Sequence, residues 1–359
     1  MKTEKVIIPK MKGAIKQEIE EHIQLLKTLE TPRGLFRASA QDAGTGYDKA
    51  WLRDNFYTSL AFEAIGDWDT VRRIWRAVLN IFLRHEDKIE WALKHKPYQS
   101  WQYIHARYNP ETFEEYWEEW GNKQNDAVGA ILFKLGDLYV KDHSVVETED
   151  DKRIIQKLVM YLNSIEYWHD PDNGAWEEYE EIHASSVGAA VAGLKRVSAM
   201  PFIEIPEALI EKGEQALKNL LPRESESKFC DLSLLSLMYP YEEVGNDRAE
   251  EILKNVEYHL EKRQGIIRYK HDRYYNKNKD GFSEEAEWTM GFPWLAIIYQ
   301  RRNNPEKAQL YLDKARQVLT KDGKLPELYY SNSETPNQNI PLAWAESMFI
   351  GALSEIGEM

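Results

Sequence analysis

The chain has 359 residues, 43% of them hydrophobic, and 46 Lys+Arg against 60 Asp+Glu give a formal charge of −14. That balance argues against a nucleic-acid partner, which is gripped by clustered cations, and against an acidic membrane surface. The single cysteine, Cys230, excludes an intrachain disulfide framework and a Cys-rich metal site. Residues 1–13 lack the apolar core of a signal peptide. No apolar run approaches the roughly 18 residues that span a bilayer. A reducing cytosol, hence a cytoplasmic location, is the expectation. Twelve Trp and 20 Tyr suit both a helical core and sugar recognition, because a flat ring stacks on the CH face of a pyranose.

Hydrophobic periodicity gives almost no strand signal and a series of amphipathic helices. In chain order they are expected at 11–29, 56–65, 69–83, 126–140, 149–165, 185–197, 206–220, 231–238, 247–263, 285–301, 305–319 and 341–356. Pro206 and Pro305 fall at helix starts, where a missing N–H costs nothing. Every second helix is apolar nearly all round or rich in small residues, as in the run from Ser185 to Leu194. The others carry a charged face, as in Arg248, Glu250, Glu251 and Lys254. An apolar helix is a buried one, and a half-charged helix faces water. The alternation predicts six inner helices wrapped by outer ones, with the first helix partnering the last. The expected fold is all-α, an (α/α)6 barrel forming one domain over 1–359. An open α-solenoid is the alternative.

Unusual residues gather just before the inner helices, in segments that would share one mouth of such a ring. They are Trp51 with Arg53 and Asp54, Trp120 with Gln124 and Asp126, Trp176 with Glu177 and Glu178, Glu285 to Trp288, and Glu327 with Tyr329 and Tyr330. Each combines a large ring with carboxylates or amides, as a carbohydrate pocket does. Helix N-termini pointing at that mouth would favour anions there. Glycoside hydrolysis needs two carboxyls in different environments, and inversion needs them about 6.5–9.5 Å apart to admit a water. Repulsion between Glu177 and Glu178, with packing by Trp176, is expected to raise one of their pKa values. Simpler roles compete. Arg53 and Asp54 could form a cap and a structural ion pair, Asp126 could cap a helix, and Glu177 to Glu181 could be a solvated acidic turn. Trp288 and Trp294 suit a core. His105, His183 and His271 show no ligand spacing and no phosphate-binding glycine loop occurs, so neither a metal nor a cofactor is expected.

Together Trp51, Leu52, Arg53 and Asp54; Trp120 and Gly121 through Gln124, Asn125 and Asp126; Trp176, Glu177 and Glu178; Arg268 and Tyr269; and Leu325, Pro326 and Glu327 with Pro341 to Trp344 resemble glycoside hydrolase family 15. This is the glucoamylase family, which also holds glucodextranases and some trehalases. The correspondence runs in order from about residue 35 to the C-terminus. It implies an (α/α)6 barrel and an inverting exo-hydrolase that releases glucose from a malto-oligosaccharide or α-glucan. By motif position Glu177 would be the general acid and Glu327 the base, with Glu334 in the same loop as a substitute base. Arg53, Asp54, Arg268 and Glu178 would bind the first sugars. Trp51, Trp120 and Trp176 would wall the pocket, supported by Gln124 and Asp126. Neither a starch-binding module nor an N-terminal β-sandwich is expected, so granular starch is an improbable substrate. Glu177 with Glu181 to Gly188, and Leu325 to Tyr329, are equally similar to the glucoamylase-like domain of phosphorylase kinase regulatory subunits. A weakly catalytic or non-catalytic glucan-binding module is therefore the alternative function, and an unrelated toroidal lyase or isomerase is a third.

Overall fold

A computed structural model describes residues 13–118, 120–276 and 284–357 of the chain. Met11 and Lys12, the expected start of the first helix, lie outside the described residues, as does most of the 1–13 stretch. Among the described residues the first α-helices are α1 (Gly13–Lys27), α2 (Leu52–Ala64), α3 (Trp68–Arg84) and α4 (Glu86–Lys94). Then come α5 (Asn125–Val140), α6 (Glu149–Ile165), α7 (Ala184–Val197) and α8 (Leu209–Leu220). The last are α9 (Asn246–His259), α10 (Gly291–Arg301), α11 (Pro305–Gln317) and α12 (Ala343–Gly357). Four two-residue strands punctuate them: β1 (Ala50–Trp51), β2 (Arg107–Tyr108), β3 (Glu287–Trp288) and β4 (Leu328–Tyr329). None of the described helices is long and apolar enough to cross a membrane.

Several boundaries differ from the sequence expectation, each for a local reason. The helix expected from 56 begins at Leu52, because Arg53, Asp54 and Asn55 are buried polar side chains that hide the apolar period. Helix α4 was not foreseen: only Ile89 and Ala92 of its nine residues are buried. The helix expected from Pro206 starts at Leu209, since Ala208 adopts a left-handed φ of 57° that no α-helix can pass through. Pro206 is therefore not at a helix start, whereas Pro305 is. At 231–238 the chain forms only a 3-10 turn, Leu232–Leu237, capped by Asp231 accepting from Ser233 N. Helix α10 starts at Gly291 and not at 285, because Glu287 and Trp288 pair antiparallel with Tyr329 and Leu328.

The expected alternation is present in the burial. Residues Asn125 to Leu138 of α5 are buried all round, as is almost every residue of α7, α10 and α12. Helices α1, α6, α8 and α11 bury one face only.

The single domain expected over 1–359 is described by two compact units that interleave along the chain: 1–50, 57–74 and 255–359 in the first, 51–56 and 75–254 in the second. In the first unit α10 packs on α11 and α12, and α1 packs on α12. There His22 Nδ1 meets Glu346 Oε2 at 2.5 Å, and the His22 ring stands edge-on to Phe349 at 4.7 Å. In the second unit α5 crosses α7 backbone to backbone. A Cβ on Gly129 would lie 2.4 Å from the Ala189 carbonyl carbon, so only glycine permits that approach.

Candidate active site

In the second unit the first turn of α2 supplies Arg53, a residue only 5% exposed. Its Nη1 donates to Gln124 Oε1 at 2.8 Å and to Asp126 Oδ2 at 3.0 Å, and its Nη2 to Glu177 Oε1 at 3.2 Å. Four of the residues singled out in the sequence thus meet at one point, with Arg53 and Glu177 124 positions apart. Burial works against the Arg53 charge, and Asp126 and Glu177 more than restore it. Asp126 therefore serves this cluster and makes no side-chain cap at α5; its Oδ1 is buried with no hydrogen-bond partner among the described residues.

The loop bearing Glu177 is closed at its base by reciprocal bonds between the backbones of Asp172 and Glu181, at 2.8 and 3.0 Å. The Asp172 carboxylate accepts from Asn125 N at 2.7 Å and Ser186 Oγ at 3.2 Å, pinning that base to α5 and α7. Inside the loop Gly174 turns with φ 63°, seated on His183: an added Cβ would meet the ring at 2.8 Å. His183 Nδ1 pairs with Glu224 Oε1 at 3.3 Å. Glu177 itself has φ 64°, a conformation that costs a non-glycine residue of order 1 kcal/mol and clusters at functional positions.

The Glu177 side chain keeps 21% of its surface open. Burial pushes its carboxyl up, the Arg53 guanidinium draws it down and the Asp54 carboxylate pushes it up again, leaving it at about 7. The like charge is thus Asp54, a correction to the expectation that Glu178 supplies it. Glu178 instead pairs with Lys228 Nζ at 3.3 Å. Trp176 is likewise turned to structure, donating from Nε1 to Asp231 Oδ1 at 2.8 Å.

Trp51 and Trp120 stand edge to face, with centroids 6.0 Å apart. The Arg107 guanidinium lies 4.1 Å over Trp120 and 5.3 Å over Trp51, and His105 stacks on Trp120 with centroids 5.7 Å apart. Arg107 donates to Glu118 Oε2 at 2.9 Å. Cation–π contact stabilises by about 0.5–2 kcal/mol depending on desolvation, so Arg107 helps to hold the two indoles in place. Sequence reasoning missed Arg107; nothing in its local sequence marks it.

The first unit carries Glu327 and Arg268. Glu327 is 1% exposed and accepts three side-chain hydrogen bonds: from Tyr47 OH to Oε1 at 2.7 Å, and from Asn337 and Asn339 Nδ2 to Oε2 at 2.5 and 2.6 Å. Burial raises its pKa, while the bonds from Asn339, Tyr47 and Asn337 and the charge of Arg268 oppose the rise; it stays above the usual carboxylate range. Tyr274 OH contacts Tyr47 OH at 2.8 Å. Arg268 is held by Asp272 through two contacts of 2.7 Å and lies 4.9 Å over both the Tyr274 and Trp288 rings. Trp288 and Trp294 are buried, as their core reading required. Glu334 is 82% exposed and 3.9 Å from Arg263, away from these donors. The clamp is not legible in the sequence, because the chain bends at Gln338 between Asn337 and Asn339 and no strand period places the two amides on one side. Among the described residues no group of His, Cys, Asp and Glu could hold a metal.

The model of glycosyl hydrolases family 15 matches residues 16–309. The regulatory alpha subunit of phosphorylase b kinase from Oryctolagus cuniculus skeletal muscle is 28% identical, over 85% of this chain and 30% of its own length. The probable alpha subunit of Drosophila melanogaster is 25% identical, over 92% of this chain and 31% of its length. The chain thus spans under a third of these curated relatives. A solved wild-type glycosidase superimposes with TM-score 0.80 at 19% identity, covering 96% of this chain and 97% of its own. The glucoamylase of Saccharomycopsis fibuligera gives 0.67 at 14% identity, covering 99% and 98%. A bacterial glucoamylase complexed with acarbose gives 0.73 at 17%, covering 98% and 57%. These likenesses establish the fold as the all-α (α/α)6 type expected from the helix alternation.

Proposed function

Since the chain belongs to glycosyl hydrolases family 15, we propose that it is an inverting, exo-acting α-glucoside hydrolase that releases glucose from malto-oligosaccharides or related α-glucans. The observation that carries this is the contrast between its two glutamates. Glu177 is held near 7 by burial and Asp54, so at neutral pH a large fraction is protonated, as a general acid must be. Glu327 is also raised by its burial, but the three hydrogen bonds it accepts favour its ionised form and oppose that rise, as suits a base.

In the proposed reaction Glu177 gives its proton to the glycosidic oxygen as the bond to the anomeric carbon breaks. Glu327 takes a proton from a water that attacks that carbon from the opposite face, yielding β-glucose. Two amides occupy Glu327 Oε2, so Oε1, which has only Tyr47 among the described residues, is the oxygen that would accept the proton. Arg53 holds Glu177 and presents its charge beside it, and with Asp54, Arg268 and Glu178 it would bind sugar hydroxyls. Trp51 and Trp120 would pack the apolar sugar face. Gln124 and Asp126 fix the Arg53 fork, and Trp176 anchors the Glu177 loop through Asp231.

Purified protein incubated with maltose, malto-oligosaccharides, isomaltose and trehalose should release glucose, with polarimetry showing the β-anomer first. No glucose above a Glu177→Gln control on any of the four would sink the hydrolase reading. The phosphorylase b kinase subunits among the relatives support a second reading, a glucan-binding regulatory module. Oligosaccharide binding without turnover in the same assay would select it.

A further inference from the structure

A cleft lies in the unit that bears Glu177, lined by α4, by the segments 100–105 and 115–118 and by Asn122. Its volume is about 820 Å³, inside the roughly 300–1,000 Å³ typical of small-molecule sites. Three indoles face it, and they are exposed: Trp91 at 36%, Trp101 at 66% and Trp117 at 102%. Trp91 stacks on His95 and Trp101 donates to Gln99 Oε1, yet much of the apolar area of the three rings stays in water, and such patches mark binding surfaces.

The charges in the cleft select the class of ligand. Its only cation among the described lining residues, Lys88, is already taken by Glu115 at 2.8 Å. Burial keeps His105 neutral at physiological pH, and Asp87, Glu115 and Glu118 are carboxylates. Phosphates, nucleic acids and acidic peptides are therefore repelled. What remains is a neutral ligand with flat apolar faces and many hydroxyls, for which Gln102, Ser100 and Asn122 offer amide and hydroxyl partners.

The cleft also adjoins the candidate active site. His105 lines it and stacks on Trp120; Tyr116 lines it and meets the Arg107 guanidinium at 5.4 Å. Glu118, on the same rim, accepts the Arg107 bond. Three residues that line the cleft thus pack against the Trp120 and Arg107 wall.

We propose that this cleft is a second saccharide site, which grips an α-glucan chain on Trp91, Trp101 and Trp117 at a distance from the end presented to Glu177. The class of ligand rests on the saccharide reading above; the existence of a cleft does not.

The test is affinity electrophoresis of the full chain through gels containing glycogen or amylose, with maltoheptaose as competitor, on the wild type and a Trp101→Ala/Trp117→Ala variant. Both side chains are exposed, so the variant should fold, as circular dichroism would verify. Stacking contacts of this kind are each worth roughly a three- to tenfold change in affinity. The variant should therefore lose retardation by at least about tenfold, while its kcat/KM on maltose stays that of the wild type. Wild-type retardation that the variant retains, that maltoheptaose does not relieve, or that never occurs would overturn the proposal. The gel reads binding alone, so a chain that binds but does not hydrolyse maltose would refute the hydrolase and leave the cleft standing.

Discussion

Replacing Glu177 by Gln should stabilise the protein at alkaline pH while removing its proposed acid. The folded carboxyl sits at about 7 against 4.5 for an ordinary glutamate. Because the folded pKa is the higher one, the native state binds more protons than the unfolded chain between about pH 4.5 and 7. Wild-type stability therefore falls as pH rises through that window, and the loss is complete above it. Each tenfold change in proton affinity is worth about 1.4 kcal/mol, which gives about 3 kcal/mol at full burial. The open fifth of the side chain brings the expectation nearer 2 kcal/mol, by solvent screening. A neutral isostere does not suffer this loss. Denaturant unfolding of the wild type and the Gln variant should give equal stability at pH 4.5 and a difference on the order of 2 kcal/mol in favour of the variant at pH 8. A difference that is constant with pH, or a variant that is less stable at pH 8, would show that Arg53 fully compensates the buried charge and that Glu177 is an ordinary carboxylate.

If Glu177 is the acid, kcat/KM on maltose should decline as pH rises through about 7, and Asp54→Asn should move that decline to lower pH by removing the like charge; a limb that Asp54→Asn leaves in place would reassign it. Glu327→Gln should lower kcat by roughly 10²–10⁴-fold, whereas Glu334→Gln, at an exposed surface position, should change neither kcat nor KM. Steady-state kinetics showing the reverse order would give Glu334 the role of base. Gly129→Ala drives a methyl into the α7 backbone, and it should cost about 1–3 kcal/mol of stability, read as a lowered urea midpoint. An unshifted midpoint would mean that α5 and α7 can separate freely.

The local pattern determined a good deal by itself. Whether a helix is buried depends on which residues recur every three or four positions, so α5, α7, α10 and α12 could be told from their half-charged partners without coordinates. The grouping of Trp51, Arg53, Trp120, Asp126, Trp176 and Glu177 as one kind of segment was equally visible. Where polar residues are buried, the apolar period breaks, which is why the pattern does not show the first turn of α2. Short strands such as β3 and β4 escaped because their partners lie far along the chain.

Tertiary structure alone decided the chemistry of each candidate. It turned Trp176 toward Asp231 and Glu178 toward Lys228, set Asp54 beside Glu177, and closed Tyr47 on Glu327 across 280 positions. Periodicity is a property of neighbours in sequence, but a carboxyl's proton affinity depends on burial and on charges brought in from distant segments. The residue type is written in the chain; the environment that sets the proton affinity of each glutamate is made only by folding.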